Sequence, residues 1–205
     1  MKRLSVVFLV AFAIMLSIGS VSQASTMFQD NFNSENGGAG ALNYYNLTNW
    51  NVTRGAVDLI GNGYYDFYPG NGLYLDMDGS ANGAGRIESK TSFLFNPGVV
   101  YTLSYDLGGN ARGGSDTITV SIGGVAASYM LNASVPLQNH SISFLMVAPF
   151  TGPIVFDHAG ADYVGIILDN VELSSSSSAV PEPSTWMLLG TGLAALSLAG
   201  IRFRK

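Results

Sequence analysis

The stretch VVYTLSYDL, residues 99–107, decides the fold. In an extended chain Tyr101, Leu103, Tyr105 and Leu107 fall on one face, and Thr102, Ser104 and Asp106 on the other. A period of two with one apolar face describes a strand half-buried against a second layer. Residues 116–122 repeat the pattern, with Ile118, Val120 and Ile122 inward and Thr117, Thr119 and Ser121 outward. Upstream, Leu73, Leu75 and Met77 oppose Tyr74, Asp76 and Asp78. Further strands are predicted over 26–32, 85–95, 125–131, 141–147, 154–157 and 164–173, with 50–60 a strand or hairpin edge. Twenty-five glycines supply turns between them, and amphipathic helix patterns are nearly absent. About ten short strands with turn signals between them predict an all-β, antiparallel sandwich.

The two ends of the chain differ from this body. Residues 1–24 read as a secretory signal: Lys2 and Arg3, an apolar run over 4–19, then Ser22 and Ala24 as small residues before a cut between Ala24 and Ser25. An uncleaved anchor is the alternative. Residues 25–173 form the sandwich domain, and the serines of 174–180 a flexible linker. Residues 181–205 begin with Pro181, Glu182 and Pro183 and end with Arg202, Arg204 and Lys205. Between them, 186–201 carries no charge; as a helix it spans about 24 Å against the roughly 30 Å of a bilayer core. Phe203 adds apolar length and Arg202 can snorkel, so a transmembrane helix is predicted, its basic end in the cytoplasm and the body outside. A plain C-terminal membrane anchor is the simpler reading of the same residues.

The order Pro-Glu-Pro, apolar helix, basic terminus resembles the PEP-CTERM sorting signal of exported bacterial proteins. The resemblance implies a Gram-negative exporter that makes exopolysaccharide. It also implies recognition and cleavage near Pro181–Pro183 by an exosortase-type membrane protease, after passage through the Sec translocon and signal peptidase. The body would first stand in the periplasm, anchored in the inner membrane, then reach the outer surface or extracellular matrix. Three stretches of the body, GNGLYLDMDGS (70–80), YTLSYDLGGN (101–110) and VGIILDNVEL (164–173), resemble the galactose-binding-like jelly roll. That resemblance implies a jelly-roll sandwich, often with a structural calcium joining first and last strands. Asp30, Asp169 and Glu172 lie in the corresponding segments here.

Composition narrows the chemistry. Cysteine is absent, which excludes disulfides, catalytic thiols and Cys-ligated metals. The body keeps only Arg54, Arg86, Lys90 and Arg112 as cations, so it repels nucleic acid and suits divalent cations or neutral glycans. Asp76 and Asp78, about 6.6 Å apart along a strand, match the spacing of an inverting glycosidase pair. Two neighbours on one strand cannot flank a substrate, however, and a solvated face or cation site is the plainer reading. His140 and His158 have no nucleophile elbow near them and read as surface or turn histidines. Tyr44, Tyr45, Trp50, Tyr64, Tyr65, Phe67 and Tyr68 crowd two loop regions. They either close the end of the core or stack on sugar rings, and Tyr64, Tyr65 and Tyr68 are the candidate glycan contacts. The resulting expectation is a non-catalytic glycan-binding or structural module associated with exopolysaccharide. A secreted polysaccharide-active hydrolase is the alternative.

Overall fold

A computed structural model describes residues 23–177, apart from 82 and 161, together with 189, 190, 192, 193 and 196. The chain divides into two compact units, Ala24–Ser176 and the combined ends Met1–Gln23 and Ser177–Lys205. In the second unit Gln23 and Ser177 are strand ends, and residues 189, 190, 192, 193 and 196 are helical. Among the described residues no helix is long and apolar enough to cross a membrane. The predicted signal peptide, the Pro-Glu-Pro triplet, the basic end and most of the predicted transmembrane helix lie outside the described residues.

The body is an all-β, antiparallel jelly-roll sandwich. One sheet holds β10 (Gln138–Leu145), β7 (Val100–Gly108), β13 (Ile167–Ser177), β4 (Leu73–Asp76) and β3 (Asp58–Gly61) in that order, with β1 (Gln23–Asp30) also paired to β13. The other holds β2 (Trp50–Arg54), β5 (Arg86–Ser89), β12 (Val155–Ala159), β8 (Ser115–Ile122) and β9 (Val125–Asn132). A two-stranded ribbon, β6 (Phe93–Phe95) with β11 (Phe150–Gly152), edges the sandwich.

The alternation in 99–107 does what its period requires. Tyr101, Leu103, Tyr105 and Leu107 are buried in the main core, together with Ile118, Val120 and Ile122 from β8. Across the β7–β10 ladder Tyr101 opposes Phe144 and Leu103 opposes Ile142. Trp50 lies at the centre, edge-on to Phe28 at 5.5 Å and Phe156 at 5.6 Å, geometries that suit the ring quadrupoles. The β8–β9 hairpin turns at Gly123 (φ 59°), where a Cβ would stand 2.6 Å from the Phe144 ring. Only glycine supplies both that backbone and that clearance.

Three expectations are corrected. Residues 50–60 are not one strand, because the chain changes sheets at Gly55, leaving β2 and β3 in different layers. Residues 85–95 split likewise into β5 and β6. Ser174, Ser175 and Ser176 are not linker: they pair with Thr102, Tyr101 and Val100 of β7, because a central partner strand satisfies their backbone whatever their side chains. The expected cut between Ala24 and Ser25 stands near the start of β1 and would leave the strand from Ser25 onward with the body.

Candidate functional site

Three polar or aromatic regions grow out of this frame. The first lies between β1 and β13. A register shift between Asp169 and Glu172 bulges β13, with Asn170 at φ 48°, and spreads the strand from its neighbours. A polar cavity of about 330 Å³ opens there, lined by Gln29, Asp30, Asn31, Ser34 and Asn49 on one side and Asn170, Val171 and Glu172 on the other.

Each expected cation ligand has a definite place around it. Asp30 accepts from Phe32 N at 2.9 Å through Oδ1, and from Asn49 Nδ2 at 3.0 Å and Trp50 Nε1 at 2.9 Å through Oδ2. Both its oxygens therefore hold N–H donors. Glu172 Oε1 accepts from Thr26 Oγ1 at 3.0 Å and ties β13 to β1. Asp169 is fully buried; Oδ1 accepts from Asn170 N at 2.7 Å, and Oδ2 has no partner. Burial pushes the Asp169 carboxyl up to about 7 against the Asn170 N–H bond, with Asp106 and Asp30 adding repulsion. Among the described residues no group of three or more His, Asp or Glu side chains converges to hold a metal ion. Asp30 and Glu172 line the cavity; Asp169 does not, and is buried next to the lining residue Asn170. A cation at the orphaned Asp169 oxygen would need amide and carbonyl oxygens to complete its shell, which calcium accepts.

The second region is an acidic pole where β4 ends. Asp76 and Asp78 are buried, not solvated. Asp76 Oδ1 accepts from Asp78 N at 3.0 Å and Gly165 N at 2.9 Å, and Oδ2 pairs with Arg112. Burial nevertheless pushes Asp76 up to about 7. Asp78 Oδ2 accepts from Asp162 N and Tyr163 N, each at 3.2 Å, while its Oδ1 has no partner. His158 is no surface residue. It is fully buried, its Nε2 accepts from Ile166 N at 3.3 Å, and burial lowers it to about 4, so it stays neutral. These side chains hold the backbone of the β12–β13 connection. Both carboxylates are turned to the N–H groups of that connection.

The third region is the aromatic loop over residues 62–72. It folds onto the outer face of β3, β4 and β13 and covers Ile60, Tyr74 and Ile167 with Phe67, Tyr68 and Leu137. Tyr74 Oη donates to Asp66 at 3.0 Å and accepts from Phe67 N and Tyr68 N. Tyr68 Oη bonds the carbonyls of Gly109 at 2.6 Å and Val135 at 2.9 Å. Tyr68 is therefore part of the cap. Tyr64 and Tyr65 are exposed and meet edge-to-face at 4.8 Å. The two readings of the aromatic loop divide by residue: Phe67 and Tyr68 close the fold, and Tyr64 and Tyr65 remain available.

Sequence reasoning missed Asn31, Ser34, Asn49 and Asn170 as cavity residues, and Arg112 as the cation of the acidic pole. The asparagine-rich run from 31 to 36 was the available signal for the first set. For Arg112 it was the scarcity of cations, which makes each one in a loop worth placing.

Residues 179–205 match the PEP-CTERM protein-sorting motif. No curated protein matches the chain. Among solved structures, the body is similar to the K3 cleaved adhesin domain of Lys-gingipain from Porphyromonas gingivalis, at 14% identity and a TM-score of 0.45, covering 74% of this chain and 99% of that one. It is similar to a family 16 carbohydrate-binding module at 14% identity and a TM-score of 0.41, covering 60% and 89%. A family 35 module from Clostridium thermocellum aligns at 10% identity and a TM-score of 0.36, covering 66% and 97%.

Proposed function

We propose that this chain is an exported protein whose C-terminal tail hands it to an exosortase-type membrane protease, and whose body is a non-catalytic module for a neutral glycan of the exopolysaccharide. The observation that carries the reading is the sorting motif over residues 179–205. Export by the Sec translocon and signal peptidase, passage through an inner-membrane-anchored periplasmic stage, and release to the surface or matrix are parts of the same proposal.

Two features of the body support a binding role. The polar cavity between β1 and β13 offers amide, hydroxyl and carboxylate groups, the partners that sugar hydroxyls take. The Tyr64–Tyr65 pair offers flat apolar area in a loop. The hydrolase alternative gains no support at Asp76 and Asp78, whose carboxylates are buried in backbone hydrogen bonds. Calcium beside Asp169 belongs to the proposal as a structural ion, not a reactant. Glycan-array binding of the isolated body tests the reading. Retention of neutral polysaccharides, lost in Tyr64→Ala/Tyr65→Ala or Asn49→Ala, is the expected result. Binding to none would leave the body a structural module.

A further inference from the structure

One rim of the sandwich carries an uncharged strip. Residues 91–105 and 117–156 contain no Asp, Glu, Lys or Arg. The fold brings parts of these two runs together. Val100 opposes Leu145 across β7 and β10, Gly98 N donates to Met146 O, and Phe95 opposes Phe150 across β6 and β11. The paired segments leave a contiguous apolar strip. Leu94, Leu145 and Val147 are 55%, 58% and 87% exposed, and Val100 and Phe150 38% and 41%. Beside Phe150 an apolar cavity of about 320 Å³ opens under the β8–β9 turn, walled by Ile122, Val125, Pro153 and Val155.

Glu88, which pairs with Val155, and the exposed Lys90 flank this strip, while the buried Asp76 and Asp78 lie at the other end. Asp76 pairs with Ile167, which also pairs with Gly108, eight residues along β7 from Val100 or about 26 Å.

The chain leaves the sandwich at the uncharged strip. Ser176 pairs with Val100, and β13 ends at Ser177. The sorting motif starts at residue 179. Three residues separate Ser177 from Pro181, a reach of at most about 14 Å over four Cα–Cα steps.

We infer that the uncharged strip is a membrane-docking surface, which rests against the lipid bilayer while the tail is still attached. The inference rests on the reading of the tail as a membrane-inserted sorting signal. Three observations favour lipid over other occupants. The strip lies where a chain bound for the bilayer departs. It is free of charge, so an acidic body meets anionic headgroups with its least repelled side. The tether also supplies a high local concentration, so even weak burial of the strip suffices to orient the body. Docking would set the height of Pro181–Pro183 above the membrane and hold the glycan-binding loops away from it.

The protein has no cysteine, which permits single-site labelling. Full-length Val147→Cys, Leu94→Cys and, as a control at the acidic end, Ser134→Cys carry a nitrobenzoxadiazole label in phosphatidylcholine vesicles containing nitroxide-labelled lipid. The expected result is co-flotation of all three, with quenching at 147 and 94 several times that at 134, and loss of quenching at 94 when Leu145→Asp is added. Co-flotation with equal, weak quenching at all three sites overturns the docking surface and leaves the anchor standing. Failure to float overturns the anchor, and the docking with it. Concentration-dependent shielding of the 147 label without vesicles would assign the rim to a second copy of this chain and overturn the membrane.

Discussion

Asp169 couples three properties of the body at the residue scale: the bulge in β13, the response to pH and the response to cations. Its carboxyl is pushed to about 7 in the folded state against about 3.9 in an unfolded chain. A group raised in this way contributes its stability fully below its unfolded value and loses it as pH rises through the folded one. Asp76, also raised to about 7, adds the same slope. His158 runs the other way. Lowered to about 4, it contributes above about 6.5 and loses that as pH falls. Between about pH 4 and 7 the two aspartates outweigh His158, so in EDTA the melting temperature falls over that range and levels off above about pH 7. Asp169→Asn shallows that fall, as thermal unfolding across pH would record. On the calcium proposal, the ion would bind the ionised carboxylate at pH 8 and stabilise the fold by about 2.7 kcal/mol at a hundredfold excess over Kd. Asp169→Asn removes this response while Asp116→Asn keeps it; identical curves in EDTA and millimolar calcium would sink the calcium proposal. Nothing near His158 in the sequence announced its burial, since Ile166 reaches it only through the turn of the β12–β13 connection.

Elements with a strict period of two were legible, and elements defined by what packs on them were not. β7 and β8 follow their alternation residue by residue, because one side of each faces the main core. In β4 the alternation holds, yet all four residues are buried. Leu73 and Leu75 enter the main core, while Tyr74 enters a second cluster under the aromatic loop. No local pattern signals that a distant loop will fold onto a strand's outer face. The loop itself makes a prediction at this scale. Tyr68→Phe leaves the Gly109 and Val135 carbonyls without their hydroxyl donor and costs about 1–3 kcal/mol in denaturant unfolding. Tyr64→Ala and Tyr65→Ala remove exposed rings and change stability little, so any loss they cause is read in glycan retention. The serine run was misjudged for a related reason. Its composition reads as a linker, but strand pairing is a backbone property, and β7 supplies partners as far as Ser176. A body truncated after Leu173 therefore melts several degrees below one truncated after Ser177, because the Val100–Thr102 end of β7 loses its neighbour.

For the whole molecule the sequence is most explicit where the sandwich ends. The sorting motif over 179–205 is contiguous, so its recognition needs no folding and its parts can be separated by mutation. On the proposed reading, the apolar run of 186–201 would drive membrane insertion through its length and lack of charge, terms that the triplet does not enter. Pro181 and Pro183 cannot donate a backbone hydrogen bond, so the triplet would act on recognition by the protease rather than on insertion. Replacing Pro181, Glu182 and Pro183 by alanine is therefore expected to leave insertion intact and to stop maturation, so that full-length protein accumulates in the membrane fraction. Replacing Arg202, Arg204 and Lys205 by alanine acts on the other term, weakening the preference for a cytoplasmic C-terminus, so that topology becomes mixed while the triplet stays in place. Pulse-chase immunoblotting of membrane fractions, with protease protection of the C-terminus, separates the two effects. If the triple alanine variant matures at the rate of the parent, the tail is an anchor alone.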